Sequence, residues 1–444
     1  MTSRPGTSDH GLGLGFATFG CKVNQGESAY LAETATRLGF KPTAPQVADI
    51  LVVNTCTVTA RTDAQVRQML RQASRRSSLQ GIIITGCYAQ RAPQELACFP
   101  KVRAVLGNAE KSLWPDLLPA LANRQQPLVQ VRDMDACREF SFLPLRNFYG
   151  HTRAFLKIQD GCRHGCAYCI VPRVRGPERS LPLQNLRQQV EDFVAAGFKE
   201  IVLTGINLAR YGPDLPGQPS LTSVVRLLRQ ASEPVRFRLS SLEPQHINPD
   251  LLQELAEWPQ FCPHFHIPLQ SGASAVLAAM QRDYQASWFA ALIQEIAAMF
   301  PAAAIGLDVM TGFPTESAAD YYQTRELIDR LPVSYLHVFP YSPRPGTVAA
   351  GLSPKATPAE IQDRARDLRA LGLQKKALFY QGQVGQVVEV LVEGSLAGKP
   401  GWVKGLTGNY LRVHLPGPPS WVNRMVRVRL REVAGQSLIG EAYP

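Results

Sequence analysis

The sequence predicts an α/β protein of about three domains that ends in a small β-barrel, and three observations predict it. Short runs rich in β-branched residues alternate with helical stretches from residue 15 to about residue 340, the pattern of buried parallel strands and their crossover helices. The chain has 444 residues, more than one hydrophobic core accommodates. From about residue 380 the helical period gives way to β-rich runs cut by Gly and Pro turns, which predicts five short strands closed on themselves.

Composition bounds the function. Hydrophobic residues make up 45% beside 34 Gly and 34 Pro, a globular composition rich in loops. No run approaches the roughly twenty apolar residues of a membrane span, and the first fifteen residues lack the basic-then-apolar order of a secretory signal. A cytoplasmic protein with no membrane partner is expected. Nine cysteines, scattered and odd in number, argue against a disulfide framework and for reduced thiols, some of them holding metal. The formal net charge of +11 suits a polyanion, most simply nucleic acid. A basic surface that binds nothing accounts for the same charge.

Residues 1–125 read as the first domain. Apolar runs at 15–20, 50–54 and 82–85 are each followed closely by a cysteine, Cys21, Cys56 or Cys87, and then by a helical stretch. Loops after the carboxyl ends of parallel strands lie along one edge of the sheet, so the three thiols are expected to meet there. Three thiolates can hold a four-iron cubane with one iron left open; alternatively each cysteine is a small buried hydrophobe. Arg67, Arg71 and Arg75 recur every four residues and share a helix face, which reads as an RNA-facing stripe or as a solvated face. Residues 126–149, broken by Pro127 and Pro144, read as a connection.

Residues 150–378 read as the second domain. Strands are expected at 155–158, 200–204, 235–239, 264–267, 305–309 and 334–339. Six βα units leave a partial barrel and a doubly wound sheet both open; in a barrel, sites gather at the carboxyl ends of the strands. After the first strand comes Cys162-Arg163-His164-Gly165-Cys166-Ala167-Tyr168-Cys169. A 4Fe-4S cubane normally takes four thiolates, so three in one loop leave an iron open to a small molecule. The alternative is a zinc knuckle completed by His164. Arg173, Arg175 and Arg179 follow as candidates for anion binding or for plain ion pairs, and Cys98 and Cys262 read as packing residues.

Residues 379–444 read as the third domain. In Met425-Val426-Arg427-Val428-Arg429-Leu430-Arg431 strand periodicity puts Arg427, Arg429 and Arg431 on one face and the apolar residues on the other. That is a footprint for phosphates read without bases, or an edge strand with a solvated basic face.

The cysteine loop, with Tyr168 before its last cysteine, resembles the radical S-adenosylmethionine (SAM) superfamily. That resemblance decides for a partial (βα)6 TIM-like barrel, and it implies that Cys162, Cys166 and Cys169 hold a 4Fe-4S cluster whose open iron binds SAM. Leu203-Thr204-Gly205-Ile206-Asn207 stands where the superfamily's Gly-Gly-Glu element receives the SAM amino group, without the Glu. Ser240-Ser241-Leu242-Glu243-Pro244 resembles the ribose- and carboxylate-facing strand end. Thr204, Gly205, Ser241 and Glu243 are thereby implied as SAM-binding, and the arginines after the cysteine loop as candidates for the SAM carboxylate. His266-Ile267-Pro268-Leu269-Gln270-Ser271-Gly272 and Asp308-Val309-Met310-Thr311-Gly312-Phe313-Pro314 resemble later elements of the same enzymes.

Gly20-Cys21-Lys22-Val23-Asn24-Gln25, Val53-Asn54-Thr55-Cys56-Thr57-Val58 and Thr85-Gly86-Cys87-Tyr88-Ala89-Gln90 resemble the signatures of the methylthiotransferases within that superfamily. Gly26 stands where an aromatic residue is expected. The family resemblance implies a three-layer α/β domain at the amino end, with Cys21, Cys56 and Cys87 on an auxiliary 4Fe-4S cluster, and a TRAM domain, OB-like and RNA-binding, at the carboxyl end. The first signature is most similar to the MtaB type, which methylthiolates threonylcarbamoyladenosine beside the anticodon. The implied cofactors are two 4Fe-4S clusters and SAM. The implied partners are a tRNA anticodon stem-loop, an electron donor such as a flavodoxin or ferredoxin, and a sulfur source; no side chain is implied as catalytic acid or base. Methylthiotransferases acting on isopentenyladenosine or on a ribosomal protein, a non-catalytic iron-sulfur RNA-binding protein and a two-site zinc protein stand as alternatives.

Overall fold

Parallel pairing between short buried strands organises most of the chain. The computed structural model describes residues 11–122, 124, 126–146, 148, 151–230 and 235–444; Gly150, where the second domain is expected to open, lies outside them. The chain forms two compact units, one of Met1–Tyr149, Asp160–His164 and Cys169–Arg179, the other of Gly150–Gln159, Gly165–Tyr168 and Ser180–Pro444.

The first unit contains β1 (Gly13–Thr18), α1 (Lys22–Arg37), β2 (Lys41–Pro42), β3 (Ile50–Thr55), α2 (Ala60–Ser74), β4 (Gly81–Gly86), α3 (Cys87–Arg91), α4 (Pro93–Ala97), β5 (Val102–Leu106), α5 (Trp114–Leu121) and β6 (Leu128–Gln130). Its strands form one parallel sheet in the order β2-β1-β3-β4-β5-β6. Every residue of β3 and β4 is buried, which is why both read as continuous apolar runs. Leu51, Val53, Ile82 and Ile84 pack against Val66, Leu70 and Ala73 of α2. Alternation points Ile50, Val52 and Ile83, equally buried, to the opposite face. α1 lies along β1, β2 and β3, and its Leu31 carbonyl accepts from the Trp114 indole of α5 at 2.9 Å. These are the three layers expected.

Between the first sheet and the second unit's helices the chain runs through β7 (Arg153–Lys157), β8 (Gln159–Asp160), α6 (Val171–Arg175) and β9 (Arg179–Ser180). The second unit continues with α7 (Leu183–Ala195), β10 (Glu200–Thr204), α8 (Leu221–Arg229), β11 (Arg236–Leu239), α9 (Pro249–Ala256), β12 (His264–Gln270), α10 (Ser274–Ala279), α11 (Ala286–Met299), β13 (Ala304–Thr311), α12 (Ala318–Arg330), β14 (Tyr335–Pro340) and α13 (Pro358–Gln381). All six expected core strands are present, parallel, as two three-stranded sheets, β7-β10-β11 and β12-β13-β14. A bridge between Phe237 and Phe261 and the bond from Leu242 N–H to the His266 carbonyl (2.9 Å) join the two sheets at the β11/β12 seam; among the described residues β7 and β14, the outer strands, are not paired with each other, so the barrel is partial.

β15 (Val387–Ser395), β16 (Trp402–Thr407), β17 (Arg412–Pro416), β18 (Met425–Ala434) and β19 (Ser437–Ala442) close into the expected five-stranded barrel, ordered β15-β16-β17-β19-β18. Val390, Val403, Val413, Val428, Leu430 and Leu438 fill it. An ion network fastens it to the core. Glu200 of β10 pairs with Arg238 (2.8 Å) and Arg236 (2.7 Å) of β11, and these arginines donate to the Gly408 carbonyl (2.7 Å) and the Leu406 carbonyl (2.8 Å). Among the described residues no helix is long and apolar enough to cross a membrane.

Candidate active site

In the first unit the register of β1, β3 and β4 decides where the cysteines go. Thr18 faces Asn54, and Thr55 faces Gly86, so all three strands end level. Cys21 caps α1, Cys56 follows β3 directly, and Cys87 opens α3. Two glycines permit the approach. Gly20 has φ +95°, and a Cβ there would lie 2.9 Å from the Cys56 sulfur; Gly86 has φ +98°, and a Cβ there would lie 2.3 Å from the Thr55 carbonyl oxygen. Burial, and next the charge of a neighbouring Cys87 thiolate, push the Cys56 thiol up to about 12. Such a thiol keeps its proton at neutral pH unless a metal centre takes the proton's place.

A buried ionic network stands behind these thiols. The Arg175 guanidinium, 0% exposed, donates from Nε to the Cys87 sulfur at 3.3 Å. Its other nitrogens reach Asn24 Oδ1 at 2.7 Å, Glu27 Oε1 at 2.6 Å and Asp160 Oδ2 at 3.3 Å. Lys111 pairs with Glu27 and donates to Asn108 Oδ1 at 2.8 Å. Asn108 in turn donates to the Val174 carbonyl at 2.8 Å and faces the Cys87 sulfur at 3.8 Å. Burial pulls the Lys111 ammonium below its ordinary range despite Glu27. Of the two readings open for Arg175, an anion site or a plain ion pair, the structure shows the ion pair: it is enclosed against Cys87, Glu27 and Asp160. Arg179 is likewise buried, donating to the Arg175 carbonyl at 2.8 Å, whereas Arg173 is exposed.

Cys162 and Cys169 belong to the first unit and Cys166 to the second. Cys162 N–H donates to the Gly176 carbonyl at 3.0 Å, and His164 N–H points at the Cys162 sulfur from 3.4 Å. In the second unit Arg282 Nη1 donates to the Cys166 sulfur at 3.4 Å. Arg282 also pairs with Glu243 and holds the Tyr284 hydroxyl at 3.1 Å. Burial raises the Cys166 thiol, with the Arg282 charge opposing it.

The carboxyl ends of the core strands carry the other expected residues. Thr204 is buried, its hydroxyl donating to the Leu156 carbonyl at 3.2 Å. Gly205 is close-packed, a Cβ there lying 3.0 Å from Gln159, and Ser241 is half-buried beside Glu243. Two residues not singled out for SAM are better placed for a ligand. The Ser240 hydroxyl and the Gln270 amide oxygen are buried and without a hydrogen-bond partner. Gln270 also has φ +65°, a strained backbone that a binding site commonly retains. Buried orphaned polar atoms at strand ends fit a polar molecule such as SAM.

On the neighbouring strands His266, Asp308 and His337 converge. Asp308 Oδ1 lies 2.9 Å from His266 Nε2 and 3.4 Å from His337 Nδ1, and the Tyr335 hydroxyl lies 3.1 Å from His266 Nδ1. Burial works to raise the Asp308 carboxyl, but the two imidazoles hold it well below its ordinary range. Among the described residues this is the set of three ligand atoms within 4.8 Å of one another.

The expected RNA-facing arginines fare unequally. Arg71 and Arg75 are exposed, but Arg67 donates to the Tyr88 hydroxyl at 2.7 Å and adjoins Glu95. Arg427, Arg429 and Arg431 point outward as expected, with Val428 and Leu430 inside. Arg431 is paired with Glu441, and Arg427 and Arg429 lie over the Tyr443 ring at 5.2 and 4.8 Å. Cys262 is buried, as a packing residue should be, but Cys98 is exposed, its thiol donating to the Gln94 carbonyl at 3.2 Å.

Comparison with known proteins follows the same division. Residues 14–107 match the uncharacterized protein family UPF0004, residues 156–328 the radical SAM superfamily and residues 381–443 the TRAM domain. The chain is 35% identical to the threonylcarbamoyladenosine tRNA methylthiotransferase MtaB of Aquifex aeolicus, over 94% of this chain and 99% of that protein. It is 33% identical to the MtaB protein of Bacillus subtilis, over 94% and 93%. A tRNA-2-methylthio-N(6)-dimethylallyladenosine synthase of Dictyoglomus thermophilum is 31% identical over 96% and 97%. Among solved structures the chain resembles in fold the radical SAM methyltransferase TsrM of Kitasatospora setae, with a TM-score of 0.56 at 13% identity, covering 78% of this chain and 74% of that one.

Proposed function

Because the chain belongs to the radical SAM methylthiotransferases, of the MtaB type, we propose that it converts N6-threonylcarbamoyladenosine beside the anticodon of tRNA to its 2-methylthio derivative. The observation that supports this most is the gathering of Cys21, Cys56 and Cys87 at one sheet edge with Arg175 on Cys87. Cleavage of SAM needs one set of thiols, whereas delivery of a sulfur atom calls for a second. Cys162, Cys166 and Cys169 hold the SAM-binding 4Fe-4S cluster; Cys21, Cys56 and Cys87 hold the auxiliary one. When bound, these cofactors supply the radical, the sulfur and the methyl group, and the protein supplies position.

The chain's own residues bind and orient. The buried side chains of Ser240 and Gln270 take polar groups of SAM, alongside Thr204, Gly205, Ser241 and Glu243. Arg282 holds Glu243 and Cys166 in one place, and Arg175 holds Cys87 against Asn24 and Glu27. The TRAM barrel and the exposed arginines meet the anticodon stem-loop. An electron donor such as a flavodoxin or ferredoxin and a sulfur source complete turnover.

The test is mass spectrometry of nucleosides from the bulk tRNA of the source organism, with and without the gene. Loss of 2-methylthio-threonylcarbamoyladenosine with accumulation of its precursor is expected. Accumulation of isopentenyladenosine instead would move the substrate to the other tRNA branch of the family, and unchanged tRNA nucleosides would remove tRNA altogether.

A further inference from the structure

A cavity of about 370 Å³ between α13, β14 and the C-terminal barrel is not used by the reaction described above; Tyr335, Arg369, Lys376, Tyr380, Tyr410 and Arg412 are among its lining residues. Arg369, Lys376 and Arg412 bring three cationic side chains to its walls, and no aspartate or glutamate lines it. Lys376 donates to the Gln436 amide oxygen at 3.2 Å and lies 5.3 Å from the centre of the Tyr380 ring. Burial, and next the charge of Arg412, pull its ammonium below the ordinary range. Cations gathered without a counter-charge create a potential that an external anion relieves.

The aromatic walls are held rigidly. Tyr410 adopts φ +69°, a strained conformation for a residue with a Cβ. Its ring stacks on His264 with centroids 4.5 Å apart, and the Arg238 guanidinium lies 4.8 Å from its centre. The Tyr380 hydroxyl accepts from the Arg412 N–H at 3.4 Å. With the Tyr410 ring taken up by His264 and Arg238, Phe379 and Tyr380 are the aromatic lining left beside the unneutralised cations, and aromatic surface next to cations is the set that receives an unstacked base together with its phosphate. The volume admits one nucleotide and excludes a duplex.

We propose that this cavity takes one unpaired nucleotide of the RNA substrate, its base against the aromatic walls and its phosphate on Arg369, Lys376 and Arg412. The assignment rests on the reading of the chain as a tRNA-modifying enzyme and places the unmatched charge here, not on β18, where Arg431 already has Glu441. The experiment uses the full chain and two probes, an anticodon stem-loop RNA and a fully paired RNA of equal length. Lys376→Gln and Arg412→Gln should each weaken stem-loop binding about tenfold and leave binding of the paired RNA nearly unchanged. Loop positions made abasic one at a time should reveal one whose loss costs the wild-type protein about tenfold and costs the double variant, Lys376→Gln with Arg412→Gln, nothing more. Formation of 5′-deoxyadenosine in the absence of RNA should be the same in both proteins, which shows that the variant is folded. Equal weakening towards both RNAs, an abasic scan indifferent to the double substitution, or AMP alone binding as tightly as the stem-loop would each overturn the assignment. If the wild-type protein does not bind the stem-loop, the tRNA reading falls and this assignment with it. If it binds and the double variant binds equally well, only the cavity assignment falls.

Discussion

Among the described residues two cysteine sulfurs accept a hydrogen bond from an arginine, Cys87 from Arg175 at 3.3 Å and Cys166 from Arg282 at 3.4 Å, yet the two arginines are built in differently. Arg175 is fully buried and joins Asn24, Glu27 and Asp160, residues up to 151 positions away. Arg282 has one carboxylate, Glu243, and a tyrosine two residues on. The first set of thiols is thus a product of sheet topology and of a buried charge network, whereas the second is carried on one short loop, and the arginine on its Cys166 is tied to a single carboxylate. Damage to packing should reach the first set before the second.

The largest expected effect separates the two sets. Cys166→Ala should abolish formation of 5′-deoxyadenosine, while Cys56→Ala should retain it and lose only methylthiolation. Each should lower iron from about eight to about four per chain. Equal loss of both activities in Cys56→Ala, with four irons still bound, would erase the distinction.

Next comes the energetic contrast. Arg175→Met takes an arginine from Glu27 and Asp160, 2% and 7% exposed, and leaves them Lys111 and Arg179; removing one partner from such a buried network costs about 3–5 kcal/mol. Arg282→Met takes an arginine from one carboxylate only, Glu243, 13% exposed, and should cost less. Urea unfolding of the two variants measures the difference, and equal losses would mean that the two arginines are equivalent supports.

A third arginine network serves no thiol of either set and shows what such a network does alone. Burial works to raise the Glu200 carboxyl, but Arg238, Arg236 and Arg153 bring it down to about 2. Its folded value lies below its unfolded one, so its contribution is complete above about pH 4.5 and is lost as the pH falls towards 2. A shift of that size corresponds to roughly 3 kcal/mol. Because Arg236 and Arg238 also hold the barrel's carbonyls, acid should loosen the TRAM barrel from the core. The urea midpoint of the wild type should fall more steeply between pH 4.5 and 3 than that of Glu200→Gln; parallel curves would sink the assignment.

The residues explain what was legible beforehand. β3 and β4 announced themselves because burial on both faces leaves no polar period, and the cysteine that follows each then had to lie at the same edge. β2 and β6, with two and three residues, are too short to carry a pattern, and Arg103 interrupts β5. Arg175 could not be placed, because a lone arginine has no period and its partner Cys87 is 88 residues distant. His337 was missed for a similar reason, its role arising only when three parallel strands bring it to Asp308. Strand counting found six βα units and an open or partial barrel, but not the weak β11/β12 seam, which a bridge between Phe237 and Phe261 makes and no periodicity announces.

The smallest effect concerns an arginine at the surface, where solvent removes most of what burial gives to Arg175. Each arginine that touches a phosphate contributes about one unit to the slope of log affinity for tRNA against log salt. Arg431 is already paired with Glu441, both half-exposed, so forming a phosphate contact there first requires that pair to open. Arg431→Gln should therefore change the slope by clearly less than one unit and leave the unfolding midpoint where it is, since exposed pairs contribute little. A full unit lost would put Arg431 on a phosphate and show that Glu441 yields to RNA, and the surface arginines would then be ranked by reach instead of by pairing.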